Sequence, residues 1–213
     1  MADEVSFRLA AITDPKALAP LLRAIDAYKG THVVRCALKL TPMLLARPGE
    51  LRQMEWADID FESATWTVPA EKMKTSQDHI VPLSEQAIAI LRDLQELTGK
   101  GQYVFPCHGN PDQPMSEGAV PVALHKLGFK GKQTAHGFRA TARTLLDEVL
   151  QQRPELAEHQ LAHTVRGPLG RAYNRTTYLA ERREMMQLWS DYLDGLKQGA
   201  KVIPIIRAPR DVS

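Results

Sequence analysis

Residues 31–46, THVVRCALKLTPMLLA, constrain this chain more than any other stretch. At helical periodicity their apolar residues fall on most sides instead of along one stripe, so the helix must be enclosed. A helix covered on most sides needs several other elements around it, and 213 residues are enough to supply them. Pro42 lacks an amide hydrogen and predicts a kink or break in that helix. The flanking segments read as its partners. In ITDPKALAPLLRAIDAYKG, Asp14 suits a helix cap, Pro15 the first turn and Gly30 the stop. RPGELRQMEW starts a short helix with Pro48 in its first turn.

Between 56 and 83 the pattern changes. SATWTVPA and DHIVPLS are β-branched and alternating, with polar EKMKTSQ between them. This predicts a small antiparallel sheet with a hairpin near 71–78. Helix returns at 84–100, capped by Ser84. YVFPC reads as a short strand or extended link, and GNPDQPM as a loop. Further helices are predicted at about 116–127, 135–151, 154–163 and 179–197, the last with Met185, Trp189, Tyr192 and Leu196 on one core-facing stripe. The fold class expected is therefore mainly α with a small antiparallel β-sheet. The apolar pentad 202–206 in the tail must dock on its own molecule or on a neighbour.

Composition narrows the function classes. No run of about 18 apolar residues predicts a membrane span. The acidic start MADEVSFRLA lacks an apolar signal core, and two cysteines, Cys36 and Cys107, are too few for a disulfide framework or a zinc cluster. A reducing cytoplasm is the expected setting. Net charge is only +2, but residues 116–183 hold eleven Lys/Arg against six Asp/Glu, and the remainder is net negative. Such a segment fits a surface facing a polyanion, and equally a solvated helical face.

Four places hold residues suited to chemistry. In TAHGFRATART, His136, Arg139 and Arg143 lie about a third of the helix circumference from the apolar stripe of Phe138, Ala142 and Leu145. They are either a surface cluster or a phosphate grip. In LLARPGELRQ, Arg47 follows the enclosed helix and Glu50 stands three residues on, where it can brace a guanidinium for bidentate phosphate recognition. A lone arginine there can also simply cap carbonyls. Lys72 and Lys74 alternate onto one face of the expected hairpin, either to block edge pairing or to protonate a leaving oxygen. In QLAHTVRGPLGRAYNRTTYLAERR, His163 ends a helix, and a Gly/Pro-containing link separates it from Tyr173. No metal-binding carboxylate cluster or phosphate-cradling glycine loop is visible, so neither metal nor nucleotide cofactor is expected.

The ordered set Arg…Lys…His-x-x-Arg…His…Tyr resembles the tyrosine recombinases, the site-specific integrases of phages and mobile islands. ARPGELRQMEWADID, MKTSQDHIVPLS, TAHGFRATARTLLDE and RAYNRTTYLAERREMMQLWSDYLDGL look like the catalytic domain of prophage and satellite-phage integrases. The resemblance runs from about residue 8 to 197. It implies Arg47, Lys74, His136, Arg139, His163 and Tyr173 as catalytic residues, Glu50 as the support of Arg47, and residues 1–199 as the catalytic domain. Arg143, Arg171 and Arg175 are the DNA-contacting candidates. Two departures stand out. Leu-Leu-Ala-Arg replaces the usual Thr-Gly-x-Arg, and the His163–Tyr173 gap is one residue longer than in many members, leaving Tyr178 as a rival nucleophile. Lys72 is the weaker rival to Lys74.

What the resemblance implies is DNA breakage and rejoining through a 3′-phosphotyrosine at double-stranded attachment sites, by a homo-tetramer on DNA. Host bending factors and an excisionase are possible further partners, and the bacterial cytoplasm, at the nucleoid, is the expected setting. Family members of this type usually carry N-terminal DNA-binding domains, and this chain matches the catalytic domain alone. Tail residues 200–213 would dock in cis or in trans. Two other readings are a type IB-like topoisomerase, which reseals the same strand, and a non-enzymatic helical DNA-binding regulator, which has no use for the tyrosine.

Overall fold

The computed structural model describes residues 10–73, 77–163 and 178–199. Among them are helices α1 (Pro15–Asp26), α2 (His32–Leu44), α3 (Pro48–Arg52), α4 (Glu85–Thr98), α5 (Ala119–Lys126), α6 (Gly137–Glu148), α7 (Pro154–Gln160) and α8 (Leu179–Gln198). Strands β1 (Ile59–Asp60), β2 (Thr65–Val68) and β3 (His79–Pro82) form one antiparallel sheet in that order, and β4 (Pro106–Cys107) pairs with β5 (Asn110–Pro114). The fold is mainly helical with small antiparallel sheets.

Helix α2 is the hub, packing against α1, α3, α4, α5, α6 and α8. Its Ala37, Leu38 and Leu40 are fully buried, as the all-round apolar pattern requires. Pro42 does not break it. The helix runs on to Leu44 and ends where Leu45 turns left-handed, at φ 57°. The Pro42 carbonyl accepts a hydrogen bond from Trp189 Nε1 of α8 at 2.8 Å, which satisfies one of the free carbonyls of the helix's last turn. Helix α1 buries Leu18, Leu21, Leu22 and Ile25 on one stripe beneath the Asp14 cap, whose carboxylate accepts from the amides of Lys16 and Ala17. It stops at Asp26, short of Gly30, with the Ala27 amide returning to the Arg23 carbonyl.

In the sheet Trp66 faces Val81, and Trp66, Val68 and Val81 are buried. The neck of the expected hairpin is closed by Ala70 N–H donating to Asp78 Oδ1 (3.0 Å), next to a 3₁₀ turn over Ala70–Lys72. The GNPDQPM segment is not a plain loop, because most of it forms β5. Its first four positions are exposed and two of its residues are prolines, so neither alternation nor propensity signals a strand. The pairing comes instead from Pro106 and Cys107 opposite. Helices α5, α6 and α7 are each shorter at the start or end than their apolar periodicity suggests, as is common at helix ends, where periodicity does not fix the last turn.

His79 at the start of β3 donates from Nε2 to the Gln160 carbonyl at 3.0 Å. Burial, with the nearby Arg182, Arg139 and Arg47 charges, pushes its pKa down to about 3. At pH 5 the unfolded chain therefore binds a proton here that the native state does not. Stability present above the unfolded value is lost as pH falls below it. Relative to His79→Gln, the wild type should lose about 2 kcal/mol of unfolding free energy between pH 7 and pH 5, measured by urea denaturation. Equal losses in both proteins would remove His79 from this role.

Candidate active site

The left-handed Leu45 turns the chain out of α2, so that Arg47 becomes the N-cap of α3. Glu50, one turn on, is buried and holds Arg47 twice. Its Oε2 accepts from the Arg47 amide at 2.9 Å, and its Oε1 accepts from Arg47 Nη1 at 2.6 Å. A capping-box geometry thus becomes a brace that aims a guanidinium.

Arg139 lies in the first turn of α6 and is buried, with 6% of its surface exposed. Its Nη1 donates to the Leu45 carbonyl (2.5 Å) and its Nη2 to the Leu161 carbonyl (2.6 Å), and Nη2 also lies 3.4 Å from His163 Nε2. Burial and, next, the charge of Arg47 pull its pKa down to about 10, against Glu50 and Glu158. Arg139 thus reaches the carbonyl two residues before Arg47, and His163 shares its site. Two guanidiniums and an imidazole from three separate stretches are brought near one another, an arrangement that an anion would relieve.

The start of α6 is shaped by a close backbone approach. A Cβ on Gly137 would sit 2.1 Å from the Ala10 carbonyl oxygen, so only glycine fits between His136 and Phe138. Thr134 Oγ1 accepts from the Gly137 amide, and Gln133 Oε1 from the Ile12 amide. His136 itself is the exposed N-cap residue, since the helix starts at Gly137, two residues after the expected start at about 135. Arg143, a turn beyond Arg139, is engaged by Glu158 (Nε–Oε1 2.5 Å) and Asp147 (Nη1–Oδ2 3.0 Å).

Lys72 is not on a strand face. It sits in the 3₁₀ turn with its ammonium at 2.5 Å from Glu55 and 3.2 Å from Asp58. Burial works to lower its pKa, but the two carboxylates outweigh this and hold it above the ordinary value. Tyr178, at the N-cap of α8, packs edge-on to His159 and beneath the Arg153 guanidinium. Lys74, Tyr173, Arg171, Arg175 and the tail 200–213 lie outside the described residues.

Three groups were not singled out from the sequence. Gln160 is buried, donating to the Leu44 carbonyl and accepting twice from Arg182, which also donates to the Ile80 carbonyl. Glu158 binds His163 Nδ1 at 2.6 Å. His79 joins β3 to the end of α7. Their spacing carries no local pattern, and only the partner carbonyls and side chains brought by folding reveal them.

His32, Cys36 and Asp93 form a trio able to hold a metal ion, at the far end of α2. They already satisfy one another. His32 Nε2 lies 3.0 Å from Asp93 and 3.6 Å from Cys36 Sγ, while Arg35 donates to Nδ1. That donor leaves the proton on the nitrogen a metal would need. A cavity of about 340 Å³, bordered by Pro48, Gly49, Val120 and Ala135, adjoins the Arg47 turn. Its lining is largely apolar, and Arg52 there donates from Nη1 to the Met115 carbonyl and from Nη2 to Glu117, while its buried Nε has no hydrogen-bond partner.

The model of the phage integrase family matches residues 12–178. The chain belongs to the phage integrase family. Among curated integrases, prophage integrase IntA of Escherichia coli K12 is 36% identical over 89% of this chain and 46% of its own length. The integrase of Enterobacteria phage P4 is 37% identical over 81% of this chain and 43% of its own. The chain thus spans about half the length of the curated integrases it matches. The integrase fold is shared with lambda integrase (75–356), described as a dimer bound to a COC′ core site. The TM-score is 0.55, with 22% identity over 74% of this chain and 59% of that one. Among the described residues, no helix is long and apolar enough to cross a membrane.

Proposed function

We propose that this chain is the strand-cleaving and rejoining part, residues 1–199, of a tyrosine-type site-specific recombinase acting on phage or prophage attachment sites. The observation that carries the reading is that Arg139 reaches both His163 and the Leu45 carbonyl, two residues before the Glu50-braced Arg47. Attack on a phosphodiester gathers negative charge on its non-bridging oxygens, and preorganised guanidiniums meet that charge without reorganising. Tyr173 Oη attacks phosphorus and the bond to the 5′-oxygen breaks, leaving a 3′-phosphotyrosine. The phenolic proton passes to His136, and Lys74 delivers a proton to the leaving oxygen. A 5′-hydroxyl of a second strand reverses the same steps, so no external energy source enters.

The engagement of Lys72 by Glu55 and Asp58 favours Lys74 as the proton donor, and the packing of Tyr178 favours Tyr173 as the nucleophile. The DNA-bound lambda integrase dimer supports double-stranded DNA as partner. Assembly on DNA as a tetramer, host bending factors and an excisionase belong to the same reading, with Arg171 and Arg175 as candidate DNA contacts. Arg143 serves it indirectly through Glu158.

The test uses a nicked duplex carrying the junction between host and mobile element, with an N-terminal DNA-binding domain supplied in trans. Denaturing electrophoresis should show a covalent protein–DNA product, and peptide mapping should find the link on Tyr173. A link on Tyr178 overturns the nucleophile. No covalent product under conditions where the DNA is bound overturns the strand-cleavage reading. Joining between two sites, beyond relaxation of supercoils, separates a recombinase from a topoisomerase.

A further inference from the structure

We propose that Glu158, backed by Arg143, is the positioning residue of His163, setting which ring nitrogen faces the phosphate site. The inference rests on the reading of His163 as a donor to a DNA phosphate.

Glu158 holds His163 at two points. Its backbone carbonyl accepts from the His163 amide at 3.1 Å, and its Oε2 lies 2.6 Å from His163 Nδ1. An ionised carboxylate can only accept a hydrogen bond, so Nδ1 carries the hydrogen. Nε2 is then turned toward the Arg139 guanidinium, 3.4 Å away. An anion seated on Arg139 meets Nε2 and not Nδ1. When Nε2 also takes a proton, the imidazolium can donate to a non-bridging oxygen, and the Glu158 charge offsets the cations around it. Without Glu158, the ring would lie beside Arg139 with no carboxylate bonded to Nδ1.

The second carboxylate oxygen is pinned separately. Arg143 Nε donates to Glu158 Oε1 at 2.5 Å, and Arg143 is itself tied to Asp147. Burial works to raise the Glu158 pKa, but the hydrogen bonds from Arg143 and His163 outweigh it and keep the carboxyl ionised below the usual range. The residues 158–163 therefore hold both partners of the site, because Leu161 in the same stretch accepts from Arg139. An exposed helix ion pair would need only Arg143 and Glu158. The shared carboxylate links that pair to the imidazole.

Two readouts test this on the whole chain. The first is the ¹⁵N signature of the His163 ring without DNA, at a pH where the imidazole is neutral. Wild type should show protonated Nδ1. Glu158→Ala should lose that preference, whereas Glu158→Gln, which keeps an acceptor oxygen, should largely retain it. A ring protonated on Nε2 in wild type, or an unchanged ring in Glu158→Ala, overturns the proposal.

The second readout is the single-turnover rate of covalent adduct formation, set beside DNA affinity. Loss of an orienting partner behind a reactive imidazole should slow the step about 10- to 100-fold in Glu158→Ala, and about tenfold in Glu158→Gln, with affinity nearly unchanged. In a His163→Ala background the same substitutions should change the rate by less than about twofold. Equal losses in both backgrounds would make Glu158 merely structural. Should Glu158→Ala fail to fold, Glu158→Gln decides through the same double-mutant comparison. Should wild type form no adduct at all, the recombinase reading falls, while the ring signature still decides whether Glu158 orients His163.

Discussion

Arg139→Lys is expected to slow covalent adduct formation by about 10²- to 10³-fold, the typical loss when one preorganised donor to a developing oxyanion is removed. Lysine keeps the positive charge, so bulk electrostatics would predict a small effect. The geometry predicts a large one. Arg139 uses opposite arms of a planar fork, one on the Leu45 carbonyl and one on the Leu161 carbonyl, while the second arm also reaches His163. A single ammonium cannot hold both carbonyls and present a fixed face to a phosphate. Arg139→Ala should lose as much activity and also stability, because two buried carbonyls lose their donor at about 1–3 kcal/mol each. The check is single-turnover cleavage of the nicked duplex, with thermal unfolding alongside. A lysine variant within about threefold of wild type would remove Arg139 from the oxyanion clamp, since that is far below the loss expected for such a donor.

Arg182→Ala should produce the largest stability loss of any single polar substitution considered. Arg182 is 1% exposed. It donates from Nε and Nη2 to Gln160 Oε1 and from Nη2 to the Ile80 carbonyl. No carboxylate pairs with it in the described hydrogen bonds and ion pairs, and burial lowers its pKa to about 10. Removing it orphans the two acceptors and leaves space where its stem packed, an expected loss of about 3–5 kcal/mol. For a domain of this size that is a fall of roughly 10 °C in Tm. Calorimetry measures it directly. A loss below about 1 kcal/mol would mean that release of a buried charge offsets the broken bonds. The same residue ties the start of α8 to β3 and α7, so adduct formation should fall more than DNA affinity does.

Several features were legible in the sequence for local reasons. A helix apolar all round had to be central, and α2 is. Asp14 and Ser84 mark helix starts because a side-chain oxygen can satisfy an amide a few residues on. The short spacing of Arg47 and Glu50 permits their pairing within one helical turn. The pattern failed where packing overrode it. Pro42 was read as a kink or break, and α2 continues through it to Leu44, while β5 has no alternation to announce it. Lys72 was read as a strand-face lysine, whereas a turn carries it to Glu55 and Asp58.

The sequence by itself determined which chemical groups are present, in what order, and which helices must be buried, because those follow from side-chain type and periodicity. Only the tertiary structure decided who faces whom. Arg139 meets carbonyls from the end of α2 and from just beyond α7, and Glu158 lends one carboxylate to both Arg143 and His163. Those contacts depend on how separate elements cross, and crossing is set by side-chain packing across the core, not by any repeat along the chain.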